Sequence, residues 1–298
     1  MTSPARRVEL PARAGAVLLS HDATLLVAGT ADGHARLFDA ATLSPRAAIR
    51  VPERTAAAAL SPDGRLLVTG DGSGTVSVWD ATTGERLRSA KAHDAPIDGL
   101  AVGGDALAAT AGESGVTLLE LATLTVRRRL LGDAAPSGLA LSPDGRVLAV
   151  GLPESPILLL DAKTGEERRR ITEPFMAAFA FAFDSAGDLL AAGGAEKTLF
   201  VFSLASGARV ARFGNHDQPI AAIAFSRDGA RVAAASFSLN PPSAAASARL
   251  ASLASKRETA VALGVTPFVA AAFDASGTAH VACAAGKAVE LFALAAGS

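Results

Sequence analysis

Five histidines, at positions 21, 34, 93, 216 and 280, and one cysteine, Cys283, are the side chains best suited to hold a metal or attack a substrate. They are scattered singly, whereas a zinc site draws on closely spaced Cys and His pairs. Gly70-Asp71-Gly72-Ser73-Gly74 has the glycine content of a phosphate-cradling loop. The residues after it alternate as a strand, so no helix N-terminus is supplied for an anion. Gly193-Gly194-Ala195-Glu196-Lys197-Thr198 lacks the glycine that a nucleotide loop places before its lysine, and it also leads into a strand. No Ser, His and Asp set carries a local signature of nucleophilic catalysis. The expectation is a chain that is not an enzyme and takes no metal or cofactor.

Composition narrows the partners. The chain has 298 residues, 50% of them hydrophobic, with 28 basic against 29 acidic side chains and a net charge of -1. That balance gives no general attraction to nucleic acid or anionic lipid, and one tryptophan with no tyrosine leaves few platforms for stacking bases. Apolar runs such as Phe175 to Phe183 and Val261 to Phe273 are too short to span a bilayer. A lone cysteine cannot form an internal disulfide, and the opening MTSPARRVELPARAGAV lacks the apolar core of a signal peptide. A cytoplasmic chain is expected.

Organisation is clearest between Leu60 and Asp80. Ser61-Pro62-Asp63-Gly64 is a tight turn: proline presets φ, aspartate hydrogen-bonds the backbone, and glycine accepts a positive φ. Arg65 to Gly70 reads as a strand, Asp71 to Gly74 as a second turn, and Thr75 to Trp79 as its alternating partner. Ala57 to Leu60 and Glu85 to Ala90 supply two more strands. The unit recurs. Gly64 to Gly145 is 81 residues, two periods; Gly145 to Gly187 and Gly187 to Gly229 are 42 each; Gly229 to Gly277 is 48. Periods of this size mark a repeat architecture.

Leu60 to Gly70 followed by Thr75-Val76-Ser77-Val78-Trp79-Asp80-Ala81-Thr82-Thr83-Gly84-Glu85 resembles a WD40 repeat. Leu141 to Gly145 and Leu160 to Glu166 repeat it. The resemblance implies an all-β, seven-bladed β-propeller with four antiparallel strands, a to d, in each blade. Blades are expected over 14–51, 56–91, 97–131, 137–171, 177–213, 219–263 and 268–292, in one domain covering 1–298. The seventh lacks a fourth strand, which Arg6 to Leu10 is predicted to supply, closing the ring and covering an exposed edge. The longer sixth period places an insertion near Ser238 to Ser243, between strands b and c.

Well-formed WD40 blades network a histidine before strand a, a Ser or Thr in b, an aspartate in the b–c turn and the tryptophan of c. No blade here has all four. Blade one keeps Thr30 and Asp32 but has Phe38; blade two has Thr69 and Trp79; His93 and His216 precede blades without tryptophan. Arg127-Arg128-Arg129, Arg168-Arg169-Arg170 and Arg86 with Arg88 fall on outer d strands, where charge discourages edge pairing and could present a basic rim to an acidic partner.

The inner strands offer Ala57-Ala58-Ala59, Ala221-Ala222-Ile223 and Val269-Ala270-Ala271, with almost nothing to do chemistry. The expected function is a scaffold for a peptide or protein partner, as a monomer or a subunit of a hetero-complex. The face of d–a and b–c loops would carry it through Arg54, Lys91, His93, Asp94, Asp133, Asn215, His216, Asp217, Gln218, Asn240, Pro241 and Pro242. The alternatives are an enzyme or small-ligand site in the central channel, and an architectural subunit.

Overall fold

In six of the seven blades the first turn is held by its own side chains. In blade two Ser61 donates to Asp63 at 2.5 Å, Asp63 accepts the N–H of Arg65 at 3.1 Å, and the Ser61 hydroxyl accepts that of Leu66 at 3.0 Å. Gly64 sits at φ +69°, where a side chain would be strained. Ser20 with Asp22, Ser142 with Asp144 and Ser226 with Asp228 repeat the arrangement. Blades five and seven manage with one aspartate: Asp184 accepts the N–H groups of Asp188 and Leu189, and Asp274 those of Ser276 and Thr278. The aspartate of Trp79-Asp80 holds the turn after strand c, accepting N–H bonds from Thr82 and Thr83 at 2.7 and 2.8 Å.

The computed structural model describes every residue except 1–5, 53, 54, 56, 111–113, 133, 154, 155, 173–176, 215, 238–245, 265 and 295–298. Among the described residues, 28 strands form seven four-stranded antiparallel sheets, and there is no α-helix. Blade two runs Ala57–Leu60, Leu66–Gly70, Thr75–Asp80 and Arg86–Lys91 from a to d. The inner strands are Ala14–Leu19, Ala57–Leu60, Gly99–Gly103, Gly138–Leu141, Ala178–Phe183, Ile220–Phe225 and Phe268–Phe273. Each packs against the inner strands of its two neighbours, and the first meets the seventh.

Closure follows the expectation. Arg6–Glu9 pairs antiparallel with Ala288–Leu294, the third strand of blade seven, and Leu10 donates its N–H to the Lys287 carbonyl at 2.7 Å. A four-stranded sheet thus joins the two ends of the chain, and the last blade has no uncovered c strand.

The core explains why a ring is needed. Its apolar residues fall into seven clusters, and each cluster is shared between two consecutive blades. No blade buries its faces alone. Leu26, Leu67, Leu148 and Leu190, the corresponding residues of four b strands, are completely buried, each worth about 1.5–3 kcal/mol of apolar burial. Phe183, Phe225 and Phe273, each last in its inner strand, pack into the seam with the preceding blade, as expected of bulky side chains among alanine-rich strands.

Candidate functional site

After strand d of blade two the chain doubles back over the turn between that blade's b and c strands. The N–H groups of Ala92 and His93 donate to the Gly74 carbonyl at 2.9 and 3.1 Å, and that of Ile97 to the Asp71 carbonyl at 3.0 Å. Gly74 has φ +86°, and a Cβ there would lie 2.0 Å from the His93 carbonyl oxygen. Beneath this turn the indole N–H of Trp79 donates to the Thr69 hydroxyl at 2.9 Å, with both residues buried. Thr69, Asp71, Trp79 and His93 therefore gather at one blade. This corrects the assignment of His93 to blade three: chain order puts it just before that blade, but its loop crosses the blade it leaves.

The family model described as "WD domain, G-beta repeat" matches residues 55–80, the stretch that carries the Thr69–Trp79 bond. The chain is a seven-bladed β-propeller, and its second blade carries a recognisable WD40 repeat. A chain in a solved structure described as "Crystal Structure of Mitotic Checkpoint Complex" superposes with a TM-score of 0.81 at 19% identity, covering 99% of this chain and 93% of that one. Significant structural matches number 1721 chains, so the likeness defines an architecture and leaves the ligand open. No curated protein matches the sequence significantly.

Blade five of the propeller repeats the fold-back. The N–H of His216 donates to the Lys197 carbonyl at 3.1 Å, and Lys197, at φ +57°, reaches the Asp217 carbonyl with its ammonium at 2.9 Å. His93 and His216 are 2% and 3% exposed, so neither ring faces a partner, and their expected binding role is withdrawn. The fold-back that positions the loops is also what buries them. Burial, with Arg249 nearby, pulls the pKa of His216 down to about 4 and keeps it neutral.

Outward from these turns stand Lys91, Asp94 and Asp217, with Gln218 half-buried. The Lys91 ammonium donates to the Ser73 carbonyl at 2.7 Å and lies 4.0 Å from Asp94. Arg54, Asp133, Asn215, Asn240, Pro241 and Pro242 lie outside the described residues.

The same face carries a network that the sequence reading did not assemble. In blade one Thr30 donates to Asp32 at 2.7 Å, and Arg36 holds Asp32 in a two-pronged ion pair at 2.6 and 2.9 Å. The Arg36 guanidinium, followed by the Thr30 hydroxyl, keeps the carboxyl of Asp32 well below the usual carboxylate range. Its signal was the alternation Thr30, Asp32, His34, Arg36, which places all four on one side of a hairpin.

Few ionisable side chains line the channel among the described residues. Its mouth on the loop face, about 650 Å³, is bordered by Gly99, Ser137, Phe179 and Phe268, with Asp98 as the ionisable side chain among the described lining residues. The opposite mouth, about 360 Å³, has Leu141, Phe183 and Phe225, with His21. No group of three metal-binding side chains occurs among the described residues. Cys283 is buried, which pushes its thiol up to about 12 and away from the reactive thiolate.

The outer arginines act largely as struts. Arg88 reaches the Leu121 carbonyl of the next blade at 3.2 Å, and Arg169 the Ser206 and Ala205 carbonyls of the next at 2.7 and 3.0 Å. Arg127 pairs with Asp105 and Glu120, and Arg168 with Asp161.

Proposed function

We propose that this WD40 propeller is a non-catalytic interaction scaffold that binds a peptide or protein across the face of its d–a and b–c loops. The observation that carries the reading is the fold-back of residues 92–97 and its counterpart in blade five. Backbone hydrogen bonds lock these loops to the rigid blades and leave Lys91, Asp94, Asp217 and Gln218 outward. Groups ordered in advance lose little entropy when a partner docks. The channel, poor among its described residues in groups that hold or move a proton, favours surface recognition over catalysis. The insertion containing Asn240, Pro241 and Pro242 falls in sequence between strands Arg231–Ser236 and Ala246–Ser252, the b–c position of blade six. The structural neighbour is a chain of the Mitotic Checkpoint Complex, and its presence in an assembly agrees with a protein partner for this fold.

The test is quantitative affinity capture from native extract followed by mass spectrometry. The wild-type chain, a deletion of residues 239–244 and the triple variant Lys91→Glu, Asp94→Lys, Asp217→Lys are compared. A specific partner depleted by either change supports the reading. A partner retained equally by all three rules this face out.

A further inference from the structure

Four seams between blades meet at a b-strand glycine, and over Gly151 of blade four the next blade places the Ala178 carbonyl and the Phe181 ring. In blade two a Cβ on Gly70 would sit 2.3 Å from Cγ2 of Ile97, and in blade five a Cβ on Gly193 would meet three carbons of Ile220 at 3.1 Å. Each isoleucine fills the space its glycine leaves. Each also ends the same pentapeptide pattern, His-Asp-Ala-Pro-Ile at 93–97 and His-Asp-Gln-Pro-Ile at 216–220.

Gly29 is the counterpart in blade one. It follows three residues after Leu26, which pairs with Phe38, just as Gly70 follows Leu67, paired with Trp79, and Gly193 follows Leu190, paired with Phe202. The plugging position of the next blade is Thr55, five residues before Leu60, which pairs with Leu67, as Ile97 is five before Val102, paired with Leu107, and Ile220 five before Phe225, paired with Val232. Over Gly29 the described atoms within 4 Å both belong to Ala16 of the same blade, at 3.3 and 3.8 Å. The isoleucine is missing.

A cavity of about 240 Å³ remains between blades one and two, lined by Leu18, Val27, Val51, Ala58 and Leu67, with Thr55. It adjoins a surface depression that shares Thr30, Ala31, Val51 and Thr55 with it and is rimmed by the exposed Asp32 and Arg50. Access is therefore from the loop face.

We propose that this socket binds one branched aliphatic side chain, isoleucine, leucine or valine, presented by a protein partner on that face. The proposal rests on the interaction reading above and gives it a chemistry. The occupant follows from the two equivalent sockets, over Gly70 and Gly193, that a side chain fills and in which that side chain is isoleucine. An unfilled apolar space forfeits the dispersion contacts of its lining, and an aliphatic side chain restores them. A charged or amide side chain would leave polar atoms unpaired there. Size agrees, because an apolar cavity of about 150 Å³ is enough to take benzene.

The probe is N-acetyl-isoleucine N-methylamide, titrated into protein carrying ¹³C-labelled leucine and valine methyl groups. Saturable shifts at Val27, Val51 and Leu67, with a Kd of roughly millimolar size, are expected for wild type and for Thr55→Val, which keeps the socket open. Thr55→Ile, whose longer side chain fills it, should bind at least about tenfold more weakly. The glycine analogue of the probe should leave these signals unmoved. Equal binding by wild type and Thr55→Ile, or no saturable binding to wild type, overturns the socket. The probe needs no macromolecular partner, so the two readings fail separately: capture without probe binding removes the socket alone, and probe binding without a capturable partner removes the scaffold.

Discussion

Val8 lies opposite Val289 in antiparallel register, and through that pair the beginning of the chain becomes the outer strand of its last blade. Leu10, 5% exposed, packs into the cluster shared by blades seven and one. Removing residues 1–10 forfeits this burial and the ladder bonds, at a cost of about 3–5 kcal/mol. Urea unfolding followed by the fluorescence of Trp79, the one tryptophan, should show the loss. The bared edge should also promote association, seen by light scattering.

The bond from Trp79 to Thr69 can be isolated by a double-mutant cycle. Trp79→Phe leaves a buried hydroxyl without its donor, and Thr69→Val leaves the indole N–H without its acceptor, each at about 1–3 kcal/mol. The double variant should cost less than the sum of the two, measured by circular dichroism in urea. Strict additivity would mean that the bond contributes nothing.

Gly74→Ala tests the fold-back. The substitution strains a backbone at φ +86° and drives a methyl group into the His93 carbonyl, so destabilisation of at least about 2 kcal/mol is expected. Lys197 occupies the left-handed region at φ +57° in the matching turn of blade five, and its ammonium bond to the Asp217 carbonyl helps to hold it there.

Stability should fall below neutral pH because of His216. Its folded pKa, depressed mainly by burial to about 4, lies below the ordinary value of 6.5, so between these values the unfolded chain binds more protons than the folded one. The contribution is complete above pH 6.5 and is lost as pH falls toward 4, on the order of 3 kcal/mol in all. Asp39 and Asp274, both held down to about 2, contribute in a separate window below pH 4. Neither ring nitrogen of His216 has a hydrogen-bond partner among the described residues, so His216→Leu should fold and should flatten the 4 to 6.5 window in pH-dependent urea midpoints.

Ring closure and blade architecture were legible because their signals are local. Ser-Pro-Asp-Gly fixes a turn wherever it stands, and Arg6 to Leu10 had no partner other than an incomplete last blade. The positions of His93 and His216 were not legible, because nothing in chain order shows that a loop crosses back over the blade before it. Their burial follows from that crossing. The Gly29 socket was further from reach, since it depends on what Thr55 fails to fill across a seam. Lys91 at the end of its d strand, and Asp94 and Asp217 in the loops, could be read as exposed because charged side chains beside turns seldom find burial.

Hydrogen–deuterium exchange of the chain alone and in complex with its captured partner tests the central claim most directly. The account predicts new protection at residues 91–98 and 214–220 and over the blade-one turn around Asp32. Protection confined to the outer d strands, or to the inner strands lining the channel, would contradict it.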